Sequence, residues 1–267
     1  MITEILDTIS GAIREPRLAD LILADMHLYA VLPRLEELAR LDEEAGAIAR
    51  ELDMTLEFLV RGGPRVVLTF ADGKVTSYRM GRANTGLFFL SCDLLNRMFA
   101  GEDVTPIPFK GITRVGQLKK FTRLTEIMTR YLKPSDADME DAAFRKSHVE
   151  MSLMVGLSAS GVVADRDPRA RRLVDDLRDG TIQYKILPDG PNAYVRIEKG
   201  VIRAFNGIVK DPTACIEIRD VDLAVGLIAG EVDTFAANGS GDVKASGDLA
   251  MADEFNGMFD RVGLYLE

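Results

Sequence analysis

The sequence predicts an α+β fold that occurs twice in one chain. In each half, apolar residues recur first at helical spacing, then in alternation typical of strands, and finally at helical spacing again. In addition, the segment CDLLNRMFAGEDVT at 92–105 recurs as VDLAVGLIAGEVDT at 221–234, and paired positions differ by a constant 129 residues. A repeat of this length is too long for a solenoid unit and has the size of a small domain. Because helices and strands are segregated within each half, the predicted class is α+β.

The similarity continues on both sides of this motif, and the elements keep their order. Three further pairs of segments correspond: ADGK at 71–74 with EKGV at 198–201, IARELDMTLEFLV from Ile48 with LVDDLRDGTIQYKI from Leu173, and VGQLKKFTRLTEIM from Val115 with SGDLAMADEFNGMF from Ser246. The second of these pairs needs one inserted residue. A duplicated module is therefore the simplest account, and any function must suit a paired module.

Each module is predicted to begin with helices. Apolar residues at helical period run from Ile2 to Leu41, and a second such segment runs from Met139 to Leu157. In the second half, Asp167 and Pro168 then predict the start of a short helix, since aspartate is a good N-cap and proline is favoured in the first turn. Each module therefore has a helical N-terminal extension.

Strands are predicted next, from alternating apolar residues in the second half. They contain Tyr184 and Ile186, then residues 194–197, 201–205 and 215–218, with turns at Pro188–Gly190 and Lys199–Gly200. Turns this short join antiparallel neighbours. A helix from Asp222 to Ala229, ended by Gly230 and preceded by a capping Asp220, comes before a further strand at 242–245.

A closing helix is predicted at the end of each module. In the second module it carries an apolar stripe, and so does its counterpart in the first. The stripes comprise Met251, Phe255, Met258, Phe259, Val262 and Leu266, and Leu118, Phe121, Leu124, Ile127, Met128, Tyr131 and Leu132. Pro134 in the polar segment 133–138 predicts the linker, so we expect domains at 1–134 and 135–267. Residues 1–134 hold the helical extension and a divergent first module, and residues 135–267 hold a helical segment and the second module.

Composition narrows the class of function. A net charge of −9 and a pI near 5.0 disfavour a nucleic-acid partner, which would require clustered Lys and Arg. The N-terminal segment carries charges that argue against a signal peptide, and no apolar run approaches the roughly 18 residues needed to span a bilayer. The two cysteines, Cys92 and Cys215, lie one in each half and do not form a disulfide framework. We therefore expect a cytoplasmic protein.

Catalytic patterns are not found in the sequence. His27 and His148 have no Cys, Asp or Glu nearby at metal-ligand spacing, so each is interpreted as a structural or exposed histidine. The glycines and serines at 239–241 and 246–248 match turn chemistry and not a nucleophile elbow or a phosphate loop. Arginines from Arg166 to Arg178 could meet anionic lipid headgroups, but acidic residues four positions on favour a solvated helix face. No enzyme activity, metal or cofactor is predicted.

The second half resembles the type-two sterol carrier (sterol-binding) domain family. The resemblance rests on a strand, a D-x-D-L helix ending in G-E, an alanine-rich link, a G-x-V-K-x-S-G-D-L strand and a closing apolar helix. The residues that carry it are Asp220, Asp222, Leu223, Gly230, Glu231, Gly241, Val243, Lys244, Gly247, Asp248 and Leu249. It covers residues 170–267. The first copy departs from the pattern, since GITRVGQL replaces GDVKASGDL and Pro106-Ile107-Pro108 replaces the alanine-rich link.

This resemblance implies, for each module, a curved and mainly antiparallel five-stranded sheet covered by helices around an apolar tunnel. The implied partner is an apolar small molecule, such as a fatty acyl chain, a sterol or a hopanoid-like lipid. The family also implies at most transient membrane contact. Flexible methionines mixed with phenylalanines suit such a pocket. The expected ligand-binding residues are Phe205, Leu227, Leu249, Met251, Phe255, Met258, Phe259 and Val262 in the second module, with Phe121, Leu124 and Met128 on the first closing helix.

Two hypotheses remain open on the sequence. In the first, the chain binds or transfers a lipid or another apolar ligand, which at least the second module encloses and whose entry the final helix gates. In the second, the chain is a structural or assembly protein whose modules pack on each other or form a homodimer. An apolar stripe at helical spacing fits either one, because the same stripe builds a filled core. Whether the stripe surrounds empty volume distinguishes the two.

Overall fold

A computed structural model describes residues 16–111 and 113–266, without the side chain of Phe235. The predicted helical positions Ile2, Ile5, Leu6, Ile9 and Ile13 lie outside the described residues. The chain divides into two compact units, and the division falls between Ile127 and Met128. The domain boundary predicted between residues 134 and 135 lies a few residues further along the chain and stays a prediction.

The first unit begins with helices and continues with strands. Its helical elements are α1 (Leu18–Met26), a π-helical turn (His27–Val31), a 3₁₀ turn (Leu32–Arg34), α2 (Leu35–Leu41) and α3 (Glu43–Glu51). These are followed by β1 (Met54–Val60), β2 (Arg65–Ala71), β3 (Lys74–Tyr78), β4 (Thr85–Phe89), α4 (Cys92–Ala100), β5 (Ile107–Lys110) and α5 (Val115–Leu132). The last turn of α5 belongs to the second unit.

The second unit repeats the order of N-terminal helices, four strands, a helix, a strand and a closing helix, with one additional short helix before its last strand. After a 3₁₀ turn (Asp138–Glu140) come α6 (Ala142–Arg166), α7 (Pro168–Asp176), β6 (Gly180–Ile186), β7 (Asn192–Glu198), β8 (Val201–Asn206) and β9 (Ala214–Ile218). The unit then continues with α8 (Val221–Ile228), α9 (Thr234–Ser240), β10 (Val243–Gly247) and α10 (Leu249–Leu266). The strand and helix types predicted for this half agree with these elements, apart from α9.

Both units contain a five-stranded mixed sheet with equivalent topology. The strand orders are β3-β2-β1-β4-β5 and β10-β9-β6-β7-β8, which are the same order when corresponding strands are matched. In each sheet the central strand pairs in parallel with one neighbour, β1 with β4 and β6 with β9. All other pairs are antiparallel. The predicted α+β class with two mainly antiparallel five-stranded sheets and helical N-terminal segments is confirmed.

The register makes individual residues equivalent between the two sheets. Phe58 on β1 pairs with Val66 on β2 and with Leu87 on β4. Tyr184 on β6 pairs with Ala193 on β7 and with Ile216 on β9. Phe58 and Tyr184 therefore occupy the same position on the central strand of their sheets.

Helix starts follow the predicted capping residues. The Asp167 carboxylate accepts a hydrogen bond from the Arg169 amide at 2.8 Å, with Pro168 in the first turn of α7. The Asp220 carboxylate accepts one from the Leu223 amide at 2.7 Å at the start of α8. In the first unit the equivalent helix α4 is capped by Ser91, whose hydroxyl accepts from the Leu94 amide at 3.2 Å. Side chains at helix starts satisfy amides that have no partner within the helix.

Helix α9 differs from the alanine-rich link expected between Gly230 and Gly241. Asp233 caps this helix by accepting from the Ala236 amide at 2.8 Å, and Gly241 ends it with a positive φ of 80°. The sequence TFAANGS has one strong apolar position and no helical stripe, so periodicity could not identify it. The local cap and the C-terminal glycine are what make the segment helical.

Candidate functional site

The inner face of the second sheet is defined by the central strand β6. Successive side chains of a strand point to opposite faces, so Ile182, Tyr184 and Ile186 share one face, while Gln183 and Lys185 lie on the other. Ile182, Tyr184 and Ile186 are at most 5% exposed. The neighbouring strand β7 adds Val195, which pairs with Ile182 and is fully buried. Apart from the hydroxyl of Tyr184, these four side chains are apolar.

The closing helix α10 covers this face. Phe255 and Met258 are fully buried, and Met251 and Val262 are at most 4% exposed. The ring of Phe255 meets the ring of Phe259 edge to face at a centroid distance of 5.7 Å. Phe259 in turn meets the ring of Tyr184 at 5.9 Å. The helix therefore presents a continuous aromatic and methionine surface to the sheet.

Helix α6 approaches the same aromatic group at a glycine. A methyl group added to Gly156 would lie 3.1 Å from a ring carbon of Phe259, which is closer than an ordinary van der Waals contact. At the other end of the sheet face, Val149 of α6 packs with Ile186 and Ala224. The same helix carries two further buried methionines, since Met151 and Met154 are at most 1% exposed. Helices α6 and α10 together with the inner face of the sheet enclose an apolar interior.

Tyr184 has a polar atom in this apolar interior. Its side chain is 5% exposed, and its hydroxyl has no hydrogen-bond partner among the described residues. Burial raises the pKa of Tyr184 well above its ordinary value, and burial is the only influence on it. The hydroxyl is therefore neutral and keeps its proton available for donation. Sequence analysis placed Tyr184 on a strand but did not identify it as a site residue.

The structure brings five of the eight residues predicted in the second module together on the covered surface of α10. Met251, Phe255, Met258, Phe259 and Val262 lie together as described, and Leu227 is half-buried on α8. Leu249 is 57% exposed at the first position of α10. It does not contribute to the interior.

Phe205 lies on the opposite face of the sheet from α10. It pairs directly with Tyr194, which alternates with the inner-face residue Ala193. The two rings stack at 5.0 Å, and the guanidinium of Arg196 lies 5.6 Å from the ring centroid of Phe205. Phe205 therefore faces away from the closing helix, because successive residues of a strand point to opposite faces of the sheet, and its role in ligand binding stays a prediction.

The first module is packed by phenylalanine rings. Phe121 on α5 meets the rings of Phe58 and Phe70, each at a centroid distance of 5.9 Å. Phe58 also stacks on Phe89 at 6.2 Å, and Leu124 is fully buried. Met128 is 3% exposed and is the first residue of the second unit. Phe121 therefore belongs to an aromatic core, and Leu124 and Met128 are buried on the same helix.

An open cleft of about 660 Å³ lies on the outer face of the second sheet. Thr181, Arg196 and Arg203 line it across three neighbouring strands, and Glu198 lies within 3.8 and 3.9 Å of the two arginines. None of the predicted ligand-binding residues lines this cleft. Its charged lining does not suit an apolar ligand, so we do not identify it with the predicted site.

The C-terminal half of α10 is fixed by a buried ion pair. Asp167, between α6 and α7, accepts hydrogen bonds from the Arg261 guanidinium, at 2.9 Å from Nε, and from the Tyr265 hydroxyl at 3.0 Å. Burial by itself would raise the pKa of Asp167, but the bonds from Arg261, the Arg169 amide and Tyr265 outweigh it and lower this pKa. The same carboxylate thus caps α7 and holds α10 in place over the sheet.

The histidines and cysteines have structural surroundings. His148 is buried, and its Nδ1 donates to the Tyr131 carbonyl at 2.7 Å, while His27 stacks on Phe99 at 4.3 Å. Burial, followed by the charge of Asp25, raises the pKa of the Cys92 thiol to about 11. Such a thiol is almost entirely protonated at neutral pH. Within residues 16–111 and 113–266, no three His, Cys, Asp or Glu side chains are grouped as metal ligands.

Comparison with protein families identifies the second module. Residues 162–260 match the SCP-2 sterol transfer family. This segment contains the whole sheet and most of α10, but of α6 it includes only the end, and Val149 and Gly156 lie before it. The resemblance deduced from the sequence is confirmed for the second copy, which is the clearer match. No curated protein matches the chain.

Three solved structures illustrate what the chain resembles. The palmitated SCP2L2 protein of Aedes aegypti is 17% identical, with a TM-score of 0.33, over 42% of this chain and 93% of its own. The sterol carrier protein domain 2 of Helicoverpa armigera is 16% identical, with a TM-score of 0.33, over 42% and 87%. The stereoselective inverting sec-alkylsulfatase Pisa1 of a Pseudomonas species is 15% identical, with a TM-score of 0.26, over 62% and 29%.

Across residues 16–111 and 113–266, each helix is too short or too polar to cross a bilayer.

Proposed function

We propose that the second module of this chain, in which residues 162–260 match the SCP-2 sterol transfer family, binds an apolar lipid between α10, α6 and the inner face of its sheet. The observation that carries the proposal is the surface of α10, where Met251, Phe255, Met258 and Val262 are all at most 4% exposed opposite an apolar sheet face. Apolar walls with few polar groups are typical of lipid sites, and methionine adapts to ligands of varied shape. The proposed role of the module is to bind the lipid. It also transfers the lipid if the bound molecule exchanges with a membrane.

The two modules have different parts in this proposal. The core of the first is built from stacked and edge-to-face phenylalanine rings, which are rigid and fill space densely. The interior of the second uses Met151, Met154, Met251 and Met258, whose unbranched side chains can rearrange. We therefore assign ligand binding to the second module and a structural role to the first.

The two cysteines indicate the compartment of the protein, and the proposed interior indicates the chemistry of its site. Cys92 and Cys215 are both free and buried, which suits a reducing compartment such as the cytoplasm. The proposed interior offers apolar side chains and a neutral tyrosine hydroxyl, and so the role is non-catalytic. An oligomer and a transient contact with a membrane surface are compatible with it.

Native mass spectrometry of the purified chain, followed by organic extraction, tests the proposal. We expect about one lipid per chain in the native protein. Phe255→Trp adds volume within the proposed site and should lower lipid occupancy at least about tenfold. Phe70→Trp adds the same volume to the first core and should leave occupancy unchanged. Circular dichroism at the same concentration checks that both variants fold.

Two results would oppose the proposal. Equal loss of lipid in both variants would show that occupancy follows general destabilisation. A native chain that carries no lipid and takes up no fluorescent fatty acid would favour the structural or assembly role. In that case analytical ultracentrifugation of the same sample would show whether the chain self-associates.

A further inference from the structure

The hydroxyl of Tyr184 is a buried polar group that the described part of the protein leaves without a partner. Buried polar groups in folded proteins are nearly always hydrogen-bonded, and those that are not call for an explanation. The residue is on the central strand of the sheet, where backbone positions are fixed on both sides by ladder pairs with Ala193 and Ile216. The strand therefore cannot move the hydroxyl to solvent without breaking the sheet.

The first module shows that packing does not require this hydroxyl. Phe58 occupies the equivalent position on β1, and a phenylalanine of the closing helix meets its ring at 5.9 Å, just as Phe259 meets Tyr184 at 5.9 Å. The neighbour on the adjacent strand differs, since Val66 pairs with Phe58 whereas the smaller Ala193 pairs with Tyr184. The second module therefore has an additional polar atom and a smaller neighbour at the same place.

The surroundings of Tyr184 favour a neutral partner. Its closest aromatic neighbour is Phe259, and no charged group influences its ionisation. A carboxylate or phosphate placed here would be buried without a cation, which is strongly unfavourable. A hydroxyl, ester or ketone oxygen accepts a hydrogen bond at much smaller desolvation cost. The environment thus selects an acceptor oxygen that carries no charge.

We propose that the Tyr184 hydroxyl donates a hydrogen bond to the single uncharged oxygen of a long-chain lipid, whose hydrocarbon part lies against α10. The ligand class is accordingly a lipid alcohol, ester or ketone. This inference rests on the proposed function, because it assigns a head-group contact within the same site. It adds a polar anchor to an otherwise apolar surface, and such anchors fix the orientation of a ligand.

Competition with a fluorescent dye, anilinonaphthalene sulfonate, tests the anchor. Dodecanol, dodecanoate and dodecane are the probes, since they share a chain and differ in the head group. Tyr184→Phe should weaken dodecanol binding about tenfold and leave dodecane binding unchanged. Tyr194→Phe is the matched control, because Tyr194 lies on the outer face of the sheet, and it should change neither. Native protein should bind dodecanol at least about tenfold more tightly than dodecanoate at neutral pH.

The thermal stability of the Tyr184→Phe variant in the absence of ligand provides a second test. Removing an unpartnered hydroxyl should leave the midpoint of thermal unfolding unchanged or raise it, while the upward shift caused by dodecanol should become smaller. A purely structural tyrosine would instead lower the midpoint when it is replaced.

Each remaining outcome has a distinct meaning. The anchor is overturned if Tyr184→Phe binds dodecanol as tightly as the native chain does. It is also overturned if the substitution weakens the binding of dodecane as much as the binding of dodecanol. Lipid binding itself stands in both cases. Equal affinity for dodecanoate and dodecanol overturns the preference for an uncharged head group. If the native chain binds none of the three probes, the proposed function fails, and the anchor fails with it.

Discussion

Replacing Phe255 by alanine is expected to lower the free energy of unfolding of the second module by about 4 kcal/mol. Phe255 is fully buried on α10, and its ring meets Phe259 edge to face. The loss combines the transfer free energy of the ring with the cost of the cavity left behind. Urea denaturation followed by circular dichroism measures it, and the two compact units should be fitted as two transitions.

Leu249→Ala is the control on the same helix. Leu249 is 57% exposed, so its truncation should change the free energy of unfolding by less than about 0.5 kcal/mol. A cost below about 1 kcal/mol for Phe255→Ala would contradict the close packing of α10 against the sheet. Addition of dodecanol should stabilise the native chain more than the Phe255→Ala variant, since the ring forms part of the proposed site.

The sequence was sufficient to predict elements whose signals are local. Asp167 and Asp220 cap the helices expected of them, and the alternation around Tyr184 and Val195 identified two strands. The constant offset between the halves predicted equivalent modules, and the two sheets have the same strand order. Each of these features depends on spacing along the chain, which a sequence displays directly.

The face of a strand or helix on which a side chain lies was harder to predict, and Phe205 and Leu249 show why. A strand residue changes face with every step, so the face of Phe205 depends on its pairing with Tyr194, which is a tertiary property. Leu249 precedes Met251 by two positions, or about 200° around a helix, and therefore points away from the buried stripe. The sequence shows that both residues are apolar, but it does not show whether their side chains face the buried interior.

Tyr184 was missed for a different reason. The alternation around it marks a buried strand position, and tyrosine is common in strands. Only the surroundings reveal that its hydroxyl has no partner in the described chain. One signal was available in the sequence, namely that the aligned position in the first copy is Phe58. A polar atom present in one copy and absent from the other identifies a place where the copies could differ in function.

Asp167→Ala is expected to lower the free energy of unfolding by about 3 kcal/mol. The substitution removes a carboxylate that is 3% exposed, leaves the guanidinium of Arg261 unpaired, and deletes the cap of α7. Asp167→Asn should cost less, about 2 kcal/mol, because asparagine caps helices as well as aspartate does but carries no charge. Asp175→Ala removes only the exposed partner of Arg171 and should cost less than about 0.5 kcal/mol.

The contribution of Asp167 should also depend on pH in a defined direction. Its pKa is lower in the folded chain than the ordinary value near 3.9, so the unfolded chain binds a proton more readily. The stabilisation is therefore fully present above that ordinary value and is lost as the pH falls through the lower pKa of the folded state. The difference in stability between the native chain and Asp167→Asn should be constant from about pH 6 to pH 8 and should shrink below about pH 4. A difference that instead grows on acidification would mean that burial outweighs the bonds from Arg261 and Tyr265, and that Asp167 does not hold α10 through its charge.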